Sequence, residues 1–341
     1  MELKAVAEDT IRTLPLVLHS LPGFKADASS VHDLSSLPPL DANECPGYLL
    51  PASDADAGKA GARIRVLDQD SFDAAIKLQP DYNAYVHLKM SPVAAASGKA
   101  TCAPAGNPTT DNEEMDLDGL PLDAPKQDRH SISADSSYHL QKPVAVLNLA
   151  SERHAGGGWR NGAMAQEEAL CYRSSLYLSL HKRYYPLASL TVIHSPDVLI
   201  IRDAVSAGHK LYNHKAFELP VTSVISVAAL RRPALTDDGK KFKNAGQRAE
   251  TKRKIRIALR VAASKGHTKL VLGALGCGVF GNPPTEVAEC FLEVFREKEF
   301  EGGWWEDIVF AVMDNAKGDQ GGQNGTGNFG QFYRVLHGRV V

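Results

Sequence analysis

The stretch PVAVLNLASERHAGGGWRNGAMAQEEAL, residues 143–170, joins a short apolar run to a helical pattern through three consecutive glycines. The run 143–150 has the length and composition of a buried strand. From Gln166 onward, apolar side chains recur at helical spacing (Ala169, Tyr172, Leu176 and Leu180), which predicts one helix over residues 166–185. The glycines therefore lie in a strand-to-helix loop, where α/β folds place ligand sites.

The same alternation of strand and helix patterns continues to the end of the chain. Further strands are predicted at 197–204, 220–230, 268–275 and 307–313, and further helices over about 249–264 and 285–298. Strands alternating with helices indicate a layered α/β fold with a largely parallel or mixed sheet.

Three segments outside this alternation have their own character. Apolar residues at helical spacing predict an N-terminal helix from Leu3 that stops at Pro15. Residues 91–140 are rich in Ser, Pro, Ala, Asp and Gly. They can bury too little apolar surface to offset the conformational entropy lost on ordering, so we expect a flexible insertion there. We interpret Gly318–Tyr333 as a flexible glycine-rich loop whose Phe329 or Phe332 either closes over an adenine or, more commonly for such residues, packs on the core.

Composition limits the possible partners and compartments. The 341 residues are 43% hydrophobic and carry a net charge of -2, which gives no overall basic field for nucleic acid. The five scattered cysteines form no CxxC pair and suggest reduced thiols in an intracellular compartment. The start of the chain lacks a signal-peptide pattern, and no stretch approaches the roughly 18 apolar residues of a membrane span, so a soluble, intracellular protein is expected.

Two adjacent carboxylates follow the glycines. Glu167 and Glu168 fall in the first turn of the predicted helix, where the macrodipole alone explains acidic residues as capping charges. If one of them is a catalytic acid, burial or a nearby anionic substrate must raise its pKa against that dipole. The glycines allow close approach of backbone to ligand, although a sharp turn alone would also explain them.

A second glycine loop, GALGCGVFGNPP, covers Gly273–Pro284. It matches G-x-G-x-x-G, but it lies late in the chain and is closed by NPP, unlike a Rossmann fingerprint, and no GK[ST] follows as in a P-loop. The remaining interpretation is a loop that binds an anion through its backbone, with Phe280 at its tip. Together the two loops predict a cleft for a diphosphate-bridged nucleotide, and paired carboxylates favour cleavage at a sugar carbon.

Three glycines, seven residues and then QEE, together with VAVLNLAS, AQEEALCYRSSLY, VLGALGCGVFGNPP and FAVMDN, resemble the microbial, or bacterial-type, poly(ADP-ribose) glycohydrolase family. The resemblance implies a macrodomain-like three-layer α/β/α fold with a mixed sheet. Residues 1–90 would form an N-terminal helical extension and the first part of the catalytic domain, 91–140 the insertion, and 141–341 the catalytic core. The implied reaction is removal of terminal ADP-ribose units from poly(ADP-ribose).

The resemblance also implies roles for individual residues. Glu168 would be the general acid/base, Glu167 would orient the terminal ribose, and Asn148 would hold its hydroxyls. Gly157 and Gly158 would approach the ligand through backbone amides, and Gln166 would contribute to binding. The diphosphate loop would consist of Gly276, Cys277, Gly278, Val279, Phe280, Gly281 and Asn282, with Phe280 against the terminal ribose.

No metal and no cofactor are implied by the resemblance. The expected partners are ADP-ribose, poly(ADP-ribose) and poly(ADP-ribosyl)ated proteins, with no membrane, and the protein is expected to act as a monomer in the cytoplasm, the nucleus or both.

Several alternatives stay open at this point. The pocket could bind ADP-ribose without hydrolysis, act on a mono-ADP-ribosyl substrate, or, if GCGVFG binds a dinucleotide, serve a nicotinamide-dependent oxidoreductase. Ala155 stands where the family commonly has proline, and Trp159 could narrow the cleft or stack on a ligand. The basic segments 240–243 and 252–254 could bind the anionic polymer or form a nuclear address, but a solvated helix face is the simpler interpretation. We interpret His154 and His194 as structural and Cys277 as a small packing residue.

Overall fold

A mixed seven-stranded sheet organises the residues that the computed structural model describes, which are 2–89 and 142–341. The strands are β1 Ser30–Asp33, β2 Ile64–Leu67, β3 Ala145–Leu149, β4 Thr191–Leu199, β5 Val221–Val227, β6 Lys269–Leu272 and β7 Asp307–Ala311. Their order is β1-β4-β5-β3-β6-β7-β2. β5, β3, β6, β7 and β2 are parallel, and β4 is antiparallel to both of its neighbours. The predicted mixed sheet is confirmed, whereas the predicted insertion at 91–140 lies outside the described residues.

Helices cover both faces of this sheet. They are α1 Leu3–His19, α2 Ser71–Leu78, α3 Ala84–Lys89, α4 Gln166–Arg173, α5 Leu176–Ser179, α6 Ala245–Ser264, α7 Pro284–Phe295 and α8 Asn328–Leu336. α1, α2, α4 and α5 pack on one face, and α6, α7 and α8 pack on the other. The predicted three-layer α/β/α architecture is therefore confirmed.

β3 shows why the sequences of the central strands are unbroken apolar runs. Val146 belongs to the core on the α4 side, while Ala145 and Leu147 belong to the core on the α6 side. Because a central parallel strand is buried on both faces, successive side chains must all be apolar. Asn148 is the exception in this strand.

The carboxyl ends of the parallel strands lie at one edge of the sheet. β3 lies between β5 and β6, so the loops that follow these three strands come together there. These loops contain the triple glycine and the second glycine loop of the sequence. The fold thereby places both predicted loops at a single edge.

Two helix predictions were wrong in their boundaries. α1 continues through Pro15 to His19. Leu14 is fully buried in an apolar cluster that includes Leu199, and Val17 and Leu18 of the last turn pack against the same cluster. The segment 166–185, predicted as one helix, contains the two helices α4 and α5, which are separated by Ser174 and Ser175 and end at Ser179. At the break, Ser175 N–H donates to Leu199 O at 3.0 Å, and Ser175 Oγ accepts from Leu199 N–H at 2.9 Å, so the end of β4 takes the hydrogen bonds that a continuous helix would use.

The strand predicted at 197–204 is also displaced. β4 runs from Thr191 to Leu199, and its pairing with β5 shifts register between Ser195 and Val198. Pro196 lies at this irregularity, where the N–H that proline lacks is not required for the ladder. The other predicted strands coincide with β3, β5, β6 and β7.

The C-terminal region is more ordered than expected. α8 begins at Asn328, so the prediction of a flexible loop through Tyr333 was wrong for its last part. Phe329 and Phe332 are both buried in the core on the α6 side. The core-packing interpretation of these aromatics is confirmed.

Residues 339–341 pair with the outer side of β2. Ala62 N–H donates to Val341 O at 2.8 Å, Ile64 N–H donates to Arg339 O at 2.8 Å, and Val341 N–H donates back to Ala62 O at 3.1 Å. The last residues thus continue the sheet beyond β2.

Candidate active site

Asn148 lies near the carboxyl end of β3, with its side chain fully buried. Its Nδ2 donates to Ser226 Oγ of β5 at 3.0 Å and to Glu167 Oε1 at 3.4 Å. Its Oδ1 accepts no hydrogen bond from the described residues. Because an unpaired buried acceptor is unfavourable, this oxygen is suited to a ligand hydroxyl or a water molecule.

Glu167 is the more enclosed of the two carboxylates, with 3% of its surface exposed. Burial raises its pKa to about 8, although hydrogen bonds from Ser151 N–H and Asn148 oppose the shift. The bond from Ser151 N–H to Glu167 Oε2 is 2.7 Å long. Glu167 therefore carries a proton through most of the neutral range and can donate it in a hydrogen bond.

Glu168 is held by the triple-glycine loop. Gly158 N–H donates to Glu168 Oε1 at 2.8 Å, and 9% of the glutamate is exposed. Gly157 has a left-handed φ of +61°, and a Cβ atom there would lie 2.9 Å from Glu168 Cδ and 3.1 Å from Glu167 Oε2. The glycines allow the backbone to lie directly against both carboxylates.

The expected mode of action of these glycines needs correction. Gly157 N–H donates to His154 O at 3.0 Å, and Gly158 N–H is used by Glu168. Both amides are already engaged within the loop, so neither is free for a phosphate or ribose. Their conformations serve first to shape the loop around the glutamates.

Gln166 is the first residue of α4, and its side-chain amide is hydrogen-bonded to β3. Its Oε1 accepts from Leu149 N–H at 2.9 Å, and its Nε2 donates to Leu147 O at 2.8 Å and to Ser71 Oγ at 3.2 Å. β6 pairs with β3 only through Ala145 and Val146, so it does not reach the backbone groups of Leu147 and Leu149. The Gln166 amide makes the hydrogen bonds to these groups that a neighbouring strand would otherwise make. Its donors and acceptor are used by the protein, which indicates a positioning role rather than the predicted substrate contact.

Trp159 does not line a cleft. The residue is 1% exposed, and its ring packs 4.9 Å from the Tyr177 ring and 6.0 Å from the Tyr172 ring, measured between centroids. The suggestions that it narrows the cleft or stacks on a ligand were wrong, because its buried ring packs against these two tyrosines and stabilises the loop from the protein interior.

The second glycine loop is closed by Asn282. Its Nδ2 donates to Leu230 O at 2.7 Å and to Gly276 O at 3.1 Å, and its own N–H donates to Gly276 O at 3.0 Å. Gly276 has a φ of +74°, and a Cβ there would lie 2.5 Å from Ala229 Cβ. Only glycine fits at this crossing of two loops.

The tip of this loop presents free backbone donors. Within the described residues, the N–H groups of Gly278, Val279 and Phe280 donate to no protein atom. Gly278 and Val279 are exposed, and no neighbour would contact a Cβ at Gly278 or Gly281. Consecutive free N–H groups form an anion-binding concavity.

Cys277 faces inward from the same loop. It is buried, and burial raises the pKa of its thiol far above the usual range. Because the thiolate is the nucleophilic form, this geometry fits the predicted packing role.

A family described as microbial-type PARG, catalytic domain, matches residues 123–203. The described part of that match, from residue 142, contains β3, the triple glycine and both glutamates. The structure is also similar to poly(ADP-ribose) glycohydrolase from Thermomonospora curvata, at 26% identity and a TM-score of 0.58, with 98% of each chain covered. The resemblance to the microbial-type PARG family is confirmed.

Two other PARG structures share this fold. The Deinococcus radiodurans PARG in complex with ADP-ribose is 25% identical over 93% of this chain and 98% of that one, with a TM-score of 0.56. The Thermomonospora curvata PARG bound to the inhibitor ADP-HPD shares the fold, with 24% identity, a TM-score of 0.59 and coverage of 97% of this chain and 98% of that one. No protein with a curated description matches the sequence.

Several contacts of the candidate site were missed by the sequence interpretation. Ser226 contacts Asn148 from a strand 78 residues away, and Ser151 binds Glu167 through its backbone, which any residue type can provide. For Ser226, the only available signal was a polar residue in the apolar run VTSVISV.

The basic segment 252–254 and His194 are held by contacts with neighbouring elements. Lys254 is buried and donates to Ser189 O, and Lys252 pairs with Glu293 at 3.2 Å, so 252–254 is not a free basic patch. His194 is buried and lies 3.0 Å from Ser223 Oγ, consistent with a structural role.

Residues 2–89 and 142–341 contain neither a membrane-spanning helix nor a cluster of metal-binding side chains. None of the helices there has the length and apolar character required to cross a bilayer. No group of three or more His, Cys, Asp or Glu side chains in these ranges is arranged to hold a metal ion.

Proposed function

We propose that this chain is a poly(ADP-ribose) glycohydrolase, which hydrolyses the ribose–ribose O-glycosidic bonds of poly(ADP-ribose) and releases ADP-ribose. The observation that carries the proposal is the placement of Glu168. Gly158 N–H fixes this carboxylate beside the buried Glu167, at the carboxyl end of β3, in a chain that matches the microbial-type PARG catalytic domain.

Glu168 is the proposed general acid/base. It would protonate the leaving 2′-oxygen of the ribose–ribose bond and then activate the water that attacks the anomeric carbon. The hydrogen bond from Gly158 orients one carboxylate oxygen, which leaves the other for the reacting atoms. General acid/base catalysis of this kind contributes about 10² to 10⁴ in rate.

Glu167 and Asn148 are proposed to hold the terminal ribose. Glu167 is protonated at neutral pH because burial raises its pKa to about 8, so it can donate to a ribose hydroxyl oxygen. Asn148 Oδ1 lacks a partner among the described residues and can accept from a hydroxyl. Binding of the sugar would thus satisfy an otherwise unpaired buried oxygen.

The loop Gly276–Asn282 is proposed to bind the diphosphate. The free N–H groups of Gly278, Val279 and Phe280 provide the donors, and the bonds made by Asn282 keep the loop in shape. A diphosphate at this edge would also stabilise positive charge that develops at the anomeric carbon.

The natural substrate is proposed to be polymer attached to proteins inside the cell. Among the described residues, Cys45, Cys171, Cys277 and Cys290 are free thiols, as expected for a reducing compartment. The protein is proposed to act as a monomer, because the residues assigned to the site all belong to one chain.

The deciding experiment measures release of ADP-ribose from poly(ADP-ribosyl)ated protein by the wild type and by Glu168→Gln. We expect a loss of at least about 10²-fold in rate with ADP-ribose affinity within a few-fold of wild type. Glu289→Gln, on an exposed position of α7, is the matched control and should keep full activity. If the wild type binds ADP-ribose but releases none, the pocket is a reader and the proposal fails.

A further inference from the structure

The segment that follows β5 crosses to the second glycine loop. Ala229 meets Gly276 so closely that no Cβ fits between them, and Leu230 O accepts from Asn282 Nδ2 at 2.7 Å. Farther along, Arg232 N–H donates to Phe280 O at 2.8 Å. Because β3 lies between β5 and β6, residues 228–232 must pass in front of the carboxyl end of β3 to make these contacts.

Two adjacent arginines occupy the end of this crossing. Arg231 and Arg232 are both exposed, and the Arg231 guanidinium lies 5.5 Å from the centroid of the Phe280 ring. Within the described residues, neither guanidinium has an acidic partner or a hydrogen-bond acceptor. This pair therefore forms an uncompensated positive rim beside the proposed diphosphate loop.

The backbone at the rim is held in an uncommon conformation. Arg232 has a φ of +49°, in the left-handed region that non-glycine residues rarely adopt. Its hydrogen bond to Phe280 O and the neighbouring bond to Leu230 O maintain this conformation. Backbone conformations of this kind concentrate at functional sites.

We propose that Arg231 and Arg232 bind the phosphates of the second ADP-ribose unit, the one that remains on the polymer when the terminal unit is released. The inference rests on the proposed function and specifies its substrate class. The free N–H groups of the loop are assigned to the diphosphate of the terminal unit. The Arg231 guanidinium over the Phe280 ring, with the exposed Arg232 next to it in the chain, is then available for a further diphosphate. Arginine binds phosphate oxygens through paired N–H donors.

The proposal has a consequence for substrate choice. A single ADP-ribose unit on a protein carries no second diphosphate, so it gains nothing from the arginine pair. Chains of two or more units gain charge-assisted contacts whose strength depends on ionic strength. The rim therefore favours polymer over mono-ADP-ribosyl substrates.

The test is a binding measurement on an inactive background. Calorimetry would compare ADP-ribose with purified poly(ADP-ribose) chains of defined length, using Glu168→Gln alone and combined with Arg231→Gln and Arg232→Gln. Glutamine keeps a long side chain over Phe280 while removing the charge, and the backbone bond to Phe280 O is unaffected. Arg296→Gln with Lys298→Gln is the matched control, because both residues are exposed and lie just after the C-terminal end of α7.

We expect the arginine double variant to lose at least tenfold in affinity for chains of two or more units, with ADP-ribose affinity within threefold and a shallower salt dependence. Arg231→Lys with Arg232→Lys keeps the charge but not the paired N–H donors, so its polymer affinity should fall between those of the Glu168→Gln background and the glutamine double variant. Equal losses for ADP-ribose and for chains would overturn the proposal by assigning the arginines to the terminal unit, and unchanged affinity for both would reduce them to surface charges. Neither result affects the release assay, so failure of the subsite and failure of the proposed function are separable.

Discussion

Gly157 lies against Glu168 with no room for a side chain, because a Cβ on the glycine would be 2.9 Å from the glutamate Cδ. Gly157→Ala should therefore displace the proposed acid. We expect a loss of about 10²-fold in kcat, since misplacing a reacting group by about 1 Å has effects of this size. The measurement is release of ADP-ribose from the polymer, together with thermal unfolding.

The matched control for this variant is Gly239→Ala. Gly239 has a similar φ of +68°, but no atom lies within 4 Å of its Cβ position. Both alanines impose about 1–2 kcal/mol of left-handed backbone strain. Equal activity losses in the two variants would show that strain, and not displacement of Glu168, is responsible.

Gln166 and Gln79 perform the same structural task at opposite ends of β3. Gln79 Oε1 accepts from Val144 N–H at 3.1 Å and its Nε2 donates to Lys142 O at 3.3 Å, just as Gln166 bridges Leu149 and Leu147. Gln166→Leu should destabilise the fold by about 2–3 kcal/mol, because three hydrogen bonds of about 1 kcal/mol each are lost. It should also reduce kcat, because α4 carries both glutamates.

Gln79→Leu separates these two effects. It removes two bonds of the same type far from the carboxylates, so denaturant unfolding should show a loss of about 1–2 kcal/mol while kcat stays near that of the wild type. A Gln166→Leu enzyme with normal kcat would contradict the positioning role.

The raised pKa of Glu167 makes stability depend on pH. The folded value of about 8 lies above the ordinary value of 4.5, so between these limits the folded protein keeps a proton that the unfolded chain has released. The stabilising contribution is therefore complete below about pH 4.5 and is lost as pH rises toward 8, with a limiting slope of about 1.4 kcal/mol per pH unit.

Glu167→Gln replaces the protonated acid with a neutral amide and should remove this dependence. Urea unfolding at several pH values between 5 and 8 should show the wild type losing stability relative to the variant as pH rises. Glu289→Gln, at an exposed position, should follow the wild-type curve. Parallel curves for wild type and Glu167→Gln would mean that Glu167 is ionised in the folded state.

Sequence patterns predicted the elements of the candidate site from local signals. The strand before the triple glycine, the two glutamates and the second glycine loop each occupy a continuous segment, and the alternation of strands and helices places them at one edge. The four-residue β2 and the split between α4 and α5 were missed, because short elements depend on pairing with distant residues.

The internal contacts of the two glycine loops could not be predicted from the sequence. Nothing in GGGWRNG shows that the Trp159 ring turns inward against Tyr172 and Tyr177, or that Gly158 N–H binds a glutamate instead of a ligand. Such choices depend on which partners the fold brings near, and the same residue types would be compatible with the opposite arrangement.

The pairing of residues 339–341 with β2 also protects the protein from association with its own copies. An uncovered strand at the border of a sheet offers a row of N–H and C=O groups to any other chain. Here Arg339 and Val341 occupy those groups at Ile64 and Ala62. Removal of the last three residues would therefore encourage aggregation through β2 while leaving the glutamates and both glycine loops unchanged.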